Sequence, residues 1–440
     1  MMPTASGPTT RGIRSPRRGW FAAALVPALA LVSAACGAAA PQTQSGGGAS
    51  AGGGKLVVWD WHSGDATTKE YYAKAKSDFE AKHPGVQVEF VAQPYDQYYT
   101  LLGTAIQAGK GPDISMFNGG AQMRDRVSSL LPLDDKVGDL KDRLVGWDAF
   151  RKDSATYAVP VTLQGFPFYY NKAVYKKAGL DPETPPKTLT ELQTTCAAIK
   201  KSGNACFNLG NKEGLGIEFF LSGFGPGVFS PAQYDAWLAG KRDWKSPEVK
   251  QIFDLWKKTN DEGWYNKGVN STAMFMDQFT MFSGGKGGNV IGLISDTAHW
   301  KSFDEFLGPD LGVYKPPVSN PANVTSTFLP AEGGIGYGVM KWTKDPALAV
   351  DLVKSLASTD AEKSFFEKAG AIAADKTVDT KSVDVKAAGE IVSWLPDSKP
   401  LLHTALSAKT LDLMHRLSQQ LISGDVTVDQ VLTQLAASDK

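Results

Sequence analysis

Residues 168–191 read FYYNKAVYKKAGLDPETPPKTLTE. Three aromatic residues, Phe168, Tyr169 and Tyr170, open the stretch as a strand. Asn171 then turns the chain into a short amphipathic helix, with Ala173, Val174 and Ala178 as its apolar positions. Gly179 suits the left-handed position that ends such a helix. Pro182, Pro185 and Pro186 bar its continuation. Thr188 offers an N-cap, and Glu191 completes a capping box for a helix running toward Lys201.

Upstream, strands and helices alternate. KLVVW at 55–59 is a continuous apolar run after glycine, the pattern of a buried parallel strand. After a polar loop, helical spacing of Tyr71, Tyr72, Ala75 and Phe79 predicts a helix over 67–82. His83-Pro84-Gly85 stops it, and VQVEFVAQ alternates as a second strand. A helix over 95–107 follows, then a third strand over 112–117. This order implies right-handed crossovers and a parallel sheet. Gly109-Lys110-Gly111 precedes a strand, so it is a turn and not a phosphate loop.

Downstream, Tyr157–Val161 runs into Thr162-Leu163-Gln164-Gly165. Helices are expected near 231–239, 246–259 and 271–282, the last leading into SGGKGGNVIGLISDTAHW at 283–300. EGGIGYGV at 332–339, a helix capped by Asp345-Pro346, STDAEK at 358–363 and GAIAA at 370–374 come next. The remainder to Lys440 reads mostly as amphipathic helix.

These segments resemble the extracellular solute-binding proteins of bacterial ABC importers, family 1, the maltose-binding type. The resemblance lies in the order strand–YNK–helix–AGL–proline turn–T-x-x-E. It also lies in W-x-W at Trp59 and Trp61, F-E-x-K-H-P-G-V-x-V at 79–88, A-G-K-G-P-D-I at 108–114, and the 332–374 region. In 283–300 glycines stand where the family has alanines, and the tryptophan comes late, at Trp300. The resemblance spans residues 55–440. It implies an α/β, two-lobed periplasmic-binding-protein-like fold, each lobe a mostly parallel sheet flanked by helices, joined by hinge strands near 160–164 and 331–334. Lobe 1 would hold 55–162 plus 333–375, and lobe 2 would hold 163–332 plus 376–440. Such a monomer catalyses nothing and needs no cofactor. It closes on a sugar or oligosaccharide and delivers it to ABC permease subunits in the membrane.

The N-terminus fits export. Arg11, Arg14, Arg17 and Arg18 precede an apolar run from Gly19 to Ala35, shorter than the roughly 20 residues that span a bilayer. Residues 1–36 read as a lipoprotein signal peptide ending at Cys36. Small residues before a cysteine resemble a lipobox, with Ser33 where leucine is usual. Cys36 would carry the lipid and hold the protein on the outer face of the cell membrane. An ordinary signal peptide cut near Ala35 is the alternative, and Arg17-Arg18 also resembles a twin-arginine signal. Residues 37–54 are Gly, Ser, Ala and a few polar residues, a flexible tether with an end-to-end distance of about 23–25 Å.

The chain has 46 basic and 46 acidic side chains; without the four signal arginines the balance is −4. No basic stripe remains, which argues against nucleic acid. The other two of its three cysteines, Cys196 and Cys206, lie in TTCAAIKKSGNACF. An oxidising compartment favours a disulfide between them, with two free thiols as the alternative. The five histidines are scattered and lack metal-ligand spacing, so no metal site is expected.

Ligands of open α/β sheets lie beyond the carboxyl ends of the strands. Candidates are therefore Asp60, Trp61 and His62 after the first strand, and Phe117 and Asn118 after the third. Gln164 and Gly165 lie at the first crossover, with Tyr169 on the next strand. Asp296 and Trp300 follow the 290–294 strand, and Glu332, Gly333 and Gly334 lie at the second crossover. Each has a plainer reading: Trp61 and Tyr169 as packing, Asn118 as a turn residue, Gln164 as a hinge residue. The chain's 11 tryptophans, several at strand ends, favour a carbohydrate over a phosphorylated solute. Arg124 and Arg126 keep glycerol-phosphate or peptide-like ligands open. A glycoside hydrolase built on Asp60, Asp296 or Glu332 is the enzyme alternative. A sensor on the same fold is a third reading.

Overall fold

Strand Lys55–Asp60, helix Lys69–Lys82, strand Gln87–Ala92, helix Tyr95–Ala108 and strand Ile114–Asn118 follow one another in the computed structural model, as the spacing predicts. The structure describes residues 54–295 and 299–439. Cys36, the signal segment and nearly all of the tether fall outside them, as does Asp296. On the first helix Tyr71, Tyr72, Ala75 and Phe79 are the buried residues, the four that the 3.6-residue period selects. Gly109, in the left-handed conformation at φ 61°, ends the second.

These three strands are parallel, with Lys55–Asp60 in the middle. Strand Ile335–Val339 joins them antiparallel, Ile335 opposite Asn118. It re-enters at the carboxyl end of its neighbour and must run the other way. Val159–Pro160 completes a five-stranded sheet.

The second lobe has a four-stranded sheet in the order Leu311–Tyr314, Phe168–Asn171, Gly287–Ile291, Ala205–Phe207. Three of its four strands run the same way, as a mostly parallel sheet requires. The exception is Phe168–Asn171, antiparallel to both neighbours, while Gly287–Ile291 and Ala205–Phe207 pair in parallel. The cause is the same: the chain arrives from the hinge at the carboxyl ends of the strands it joins. Phe168 pairs with Ile291 and Tyr314, the last residues of theirs.

Within 168–191 the capping chemistry appears as read. The Asn171 side chain accepts the backbone N–H of Ala173 at 2.9 Å, starting helix Lys172–Lys177. Gly179 has φ 75°. Thr188 and Glu191 form a full capping box on helix Leu189–Lys201. One detail differs: Ala173 faces outward, and Val174 and Tyr175 carry the burial. Tyr175 wins because its hydroxyl reaches the buried Asn289 side chain at 2.8 Å. Cys196 and Cys206 form a disulfide that joins helix Leu189–Lys201 to strand Ala205–Phe207.

Each lobe has its own apolar core, one around Val58, Phe117 and Tyr337, the other around Phe168, Trp256 and Leu401. A short antiparallel ribbon joins the lobes: Leu163–Gly165 against Ala331–Gly333, with Gln164 opposite Glu332. A third crossing lies alongside, where Leu163 donates to the carbonyl of Ile372 and Ile372 to that of Ile294. No helix among the described residues is long and apolar enough to cross a membrane.

Candidate functional site

A cavity of about 300 Å³ lies between the lobes at the carboxyl ends of their strands. The first lobe contributes Trp61, His62, Tyr95, Asn118, Gly119, Ala121 and Gln122. Gln164 comes from the hinge ribbon. The second lobe contributes Phe166, Leu215, Glu218, Phe219, Phe275, Leu293, Ser295, His403, Thr404, Leu411, Asp412 and His415.

Trp61 follows the first strand and packs edge-on against Tyr98 at 4.8 Å and Tyr95 at 5.5 Å between ring centres. His62 Nδ1 lies 2.6 Å from Asp65 Oδ2. The Asn118 side chain donates to the Tyr95 hydroxyl at 3.2 Å. The rings continue across the gap. Tyr95 meets Phe275 of the other lobe at 6.3 Å, Phe275 meets Phe219 at 6.5 Å, and Phe219 stacks on Phe166 at 4.2 Å. On another edge Arg124 of the first lobe donates to the carbonyl of Thr404 in the second. The two lobes thus touch on more than one side of the cavity.

The second lobe's wall is polar at one place. Glu218 Oε1 lies 2.5 Å from His415 Nε2, and Glu218 Oε2 lies 3.9 Å from His403 Nε2. The Ser222 hydroxyl accepts the backbone N–H of His403 at 3.2 Å and is hydrogen-bonded to His403 Nδ1 at 2.8 Å. Burial lowers the pKa of His403, and the nearby Glu218 offsets only part of that. Burial alone would raise Glu218, but the charge and hydrogen bond of His415, together with the nearby His403 ring, outweigh it and hold the carboxyl below its usual range. Burial likewise disfavours charge on His415, yet Glu218 and then Asp412 lift it above the ordinary histidine value.

Of the residues singled out in the sequence, Trp61, His62, Asn118 and Gln164 line the cavity. The others among the described residues lie elsewhere. Asp60 is fully buried and caps its own loop, Oδ1 accepting the backbone N–H of His62 at 2.7 Å. Phe117 and Tyr169 are core residues, and the Tyr169 hydroxyl is spent on the carbonyl of Leu293. Trp300 is also fully buried, its indole N–H donated to the carbonyl of Gly370 at 2.7 Å. Gly165, Gly333 and Gly334 serve backbone approach at the hinge. A Cβ on Gly165 would meet the Pro330 carbonyl at 2.9 Å, and one on Gly333 would clash with the carbonyl of Gly146. Glu332 stands on the ribbon near Arg124, with its buried Oε1 unpartnered. Burial pushes its pKa up to about 7, and Thr404 and Arg124 offset only part of that. Among the described residues no group of His, Cys, Asp and Glu is arranged to hold a metal ion.

Tyr95, Gln122, Phe166, Glu218, Phe219, Phe275, His403, Asp412 and His415 also line the cavity, although no motif or strand end marks them in the sequence. Phe166, next to Gly165, was within reach of the crossover argument. Glu218 and His415 are 197 residues apart, and no spacing rule joins them.

Two lobes, a hinge ribbon and a cavity between strand ends define a hinged binding protein. The profile of the bacterial extracellular solute-binding protein family matches residues 60–363, and the chain belongs to that family. A binding protein of Brucella abortus (strain 2308) is 29% identical over 239 residues, 51% of this chain and 55% of that protein. The chain thus spans about half the length of that relative. The maltodextrin-binding protein of Bacillus subtilis (strain 168) is 25% identical over 344 residues, 74% of this chain and 75% of its own. The solved chitin oligosaccharide binding protein superposes with a TM-score of 0.77 at 19% identity, covering 88% of this chain and 98% of its own, which shows the shared fold.

Proposed function

We propose that this chain is the extracytoplasmic substrate-binding lipoprotein of an ABC importer, and that it captures a sugar or oligosaccharide in the cavity between its lobes. One observation carries the reading: the lining combines aromatic rings, side-chain amides and carboxylates with no lysine or arginine among the described residues. Rings offer flat apolar faces to the C–H surface of a sugar, and amides and carboxylates pair with its hydroxyls. A phosphorylated solute would need cationic donors. Arg124 is committed to Thr404, and Arg126 lies over the Tyr99 ring at 4.6 Å. Glycerol phosphate is therefore the weaker alternative. The maltodextrin and chitin oligosaccharide proteins, by their names, bind ligands of the class proposed here.

Binding works by hinge closure about 163–165 and 331–333. Contacts from both walls stabilise the closed form and shift a pre-existing equilibrium toward it. The chain binds its ligand without altering it and docks as a monomer on the permease. Lipid on Cys36 and the tether 37–54 keep it near the membrane.

A panel of mono- and oligosaccharides, followed by thermal melting and by calorimetry, tests this. A fitting sugar raises the melting temperature by linkage and compacts the protein in small-angle scattering. If no sugar binds and glycerol phosphate does, the alternative holds. Cys36→Ala should release the protein from the membrane fraction; continued membrane attachment would reject the lipid anchor.

A further inference from the structure

We propose that Glu218, held between His415 and His403 in the second lobe's wall, selects ligands by charge, accepting hydroxyl or ammonium donors and turning away carboxylated and phosphorylated solutes. The inference rests on the reading of the cavity as a sugar site and adds which sugars it admits.

The geometry leaves half of the carboxylate open. Oε1 is taken by His415 at 2.5 Å. His403 Nε2 lies 3.9 Å from Oε2, beyond hydrogen-bonding distance. The Glu218 side chain is only 12% exposed and faces the cavity. An Oε2 lone pair so placed accepts a donor from whatever occupies the space. Asp412, also at the cavity and exposed, adds a second carboxylate to this wall, and burial disfavours charge on His403. The wall is therefore net acidic, and no lining lysine or arginine compensates. A carboxylate or phosphate brought here would lose water and face like charge at low local dielectric. A hydroxyl would find an acceptor, and an ammonium would find an acceptor and a counter-charge.

The test takes the tightest neutral sugar from the panel and compares it, by calorimetry, with its amino and uronic-acid counterparts and with glycerol phosphate. In the native protein the neutral and amino forms should bind at least about tenfold tighter than the acid. Glu218→Gln keeps the shape and removes the charge. It should narrow that gap about tenfold and weaken the amino sugar most. Asp412→Asn, on an exposed position, should narrow it about two- to threefold and covers the case in which Glu218→Gln does not fold. Native protein that binds acid and neutral forms alike overturns the proposal. So does a folded Glu218→Gln, or Asp412→Asn where that stands in, that discriminates as the native protein does. If no sugar of any charge binds the native protein, the sugar reading itself falls, and this inference with it.

Discussion

The two walls of the cavity are assembled differently. The first lobe's wall comes from the loops and turns at the ends of the first strand–helix–strand–helix–strand unit, from Trp61 to Gln122. Each residue sits where the parallel sheet delivers its loops. The second lobe's wall joins Phe166 beside the hinge, the 215–219 turn into helix Gly216–Val228, Phe275 on a π-helical turn, and His403, Asp412 and His415 from the C-terminal part. Its polar group depends on one contact between distant helices, Glu218 to His415. A wall built from one local unit is fixed by topology. A wall built from remote pieces exists only when the whole lobe is folded.

The largest effect is expected at the first wall. Trp61→Ala removes its ring platform and should weaken sugar binding about 100-fold, near 2.7 kcal/mol, by calorimetry. An unchanged dissociation constant would show that this wall does not touch the ligand. Removing the Cys196–Cys206 disulfide by paired serines tests the second lobe's frame away from the cavity. Closing residues 10 apart in sequence should contribute about 2–3 kcal/mol, read from urea unfolding, with sugar affinity preserved. A parallel loss of affinity would mean the second wall is sensitive to strain throughout its lobe.

Phe275→Ala breaks the ring contact that links the walls at Tyr95. It should weaken sugar binding about tenfold and make the ligand-free protein more open in small-angle scattering. Identical scattering and affinity would place Phe275 outside the closure. The smallest effect is expected at the hinge, which belongs to neither wall. Folded Glu332 keeps its proton up to about pH 7, because burial opposes its charge. The unfolded chain releases that proton near the ordinary carboxylate value. Stability from this group is therefore complete below that value and is lost as pH rises through 7. Glu332→Gln should gain about 1–2 kcal/mol over the native protein at pH 8, and little at pH 5, by denaturant titration. An equal gain at both would assign the effect to packing.

How much was legible follows the same division. Trp61, His62 and Asn118 reach the cavity because a strand end in a parallel sheet is a place as well as a sequence position. Gln164 was found because a crossover must pass the cleft. Trp300 misled, since an aromatic residue beyond a strand can turn inward as easily as toward a ligand. Here its indole N–H has a backbone partner at Gly370, and the ring stays in the core. Phe117 and Tyr169 misled in the same way. The reversal of Phe168–Asn171 within the second lobe's sheet was not legible, because sequence spacing does not reveal from which end a returning strand enters.

Local chemistry alone determined the Asn171 cap, the Thr188–Glu191 box, the buried face of the first helix and the order of the first lobe, because each depends on residues a few positions apart. The acidic pair facing the cavity, the ring contact across it and the proton held at Glu332 were decided only by tertiary structure. They depend on burial and on contacts between segments far apart in the chain, and neither distance nor dielectric is written in the order of the residues.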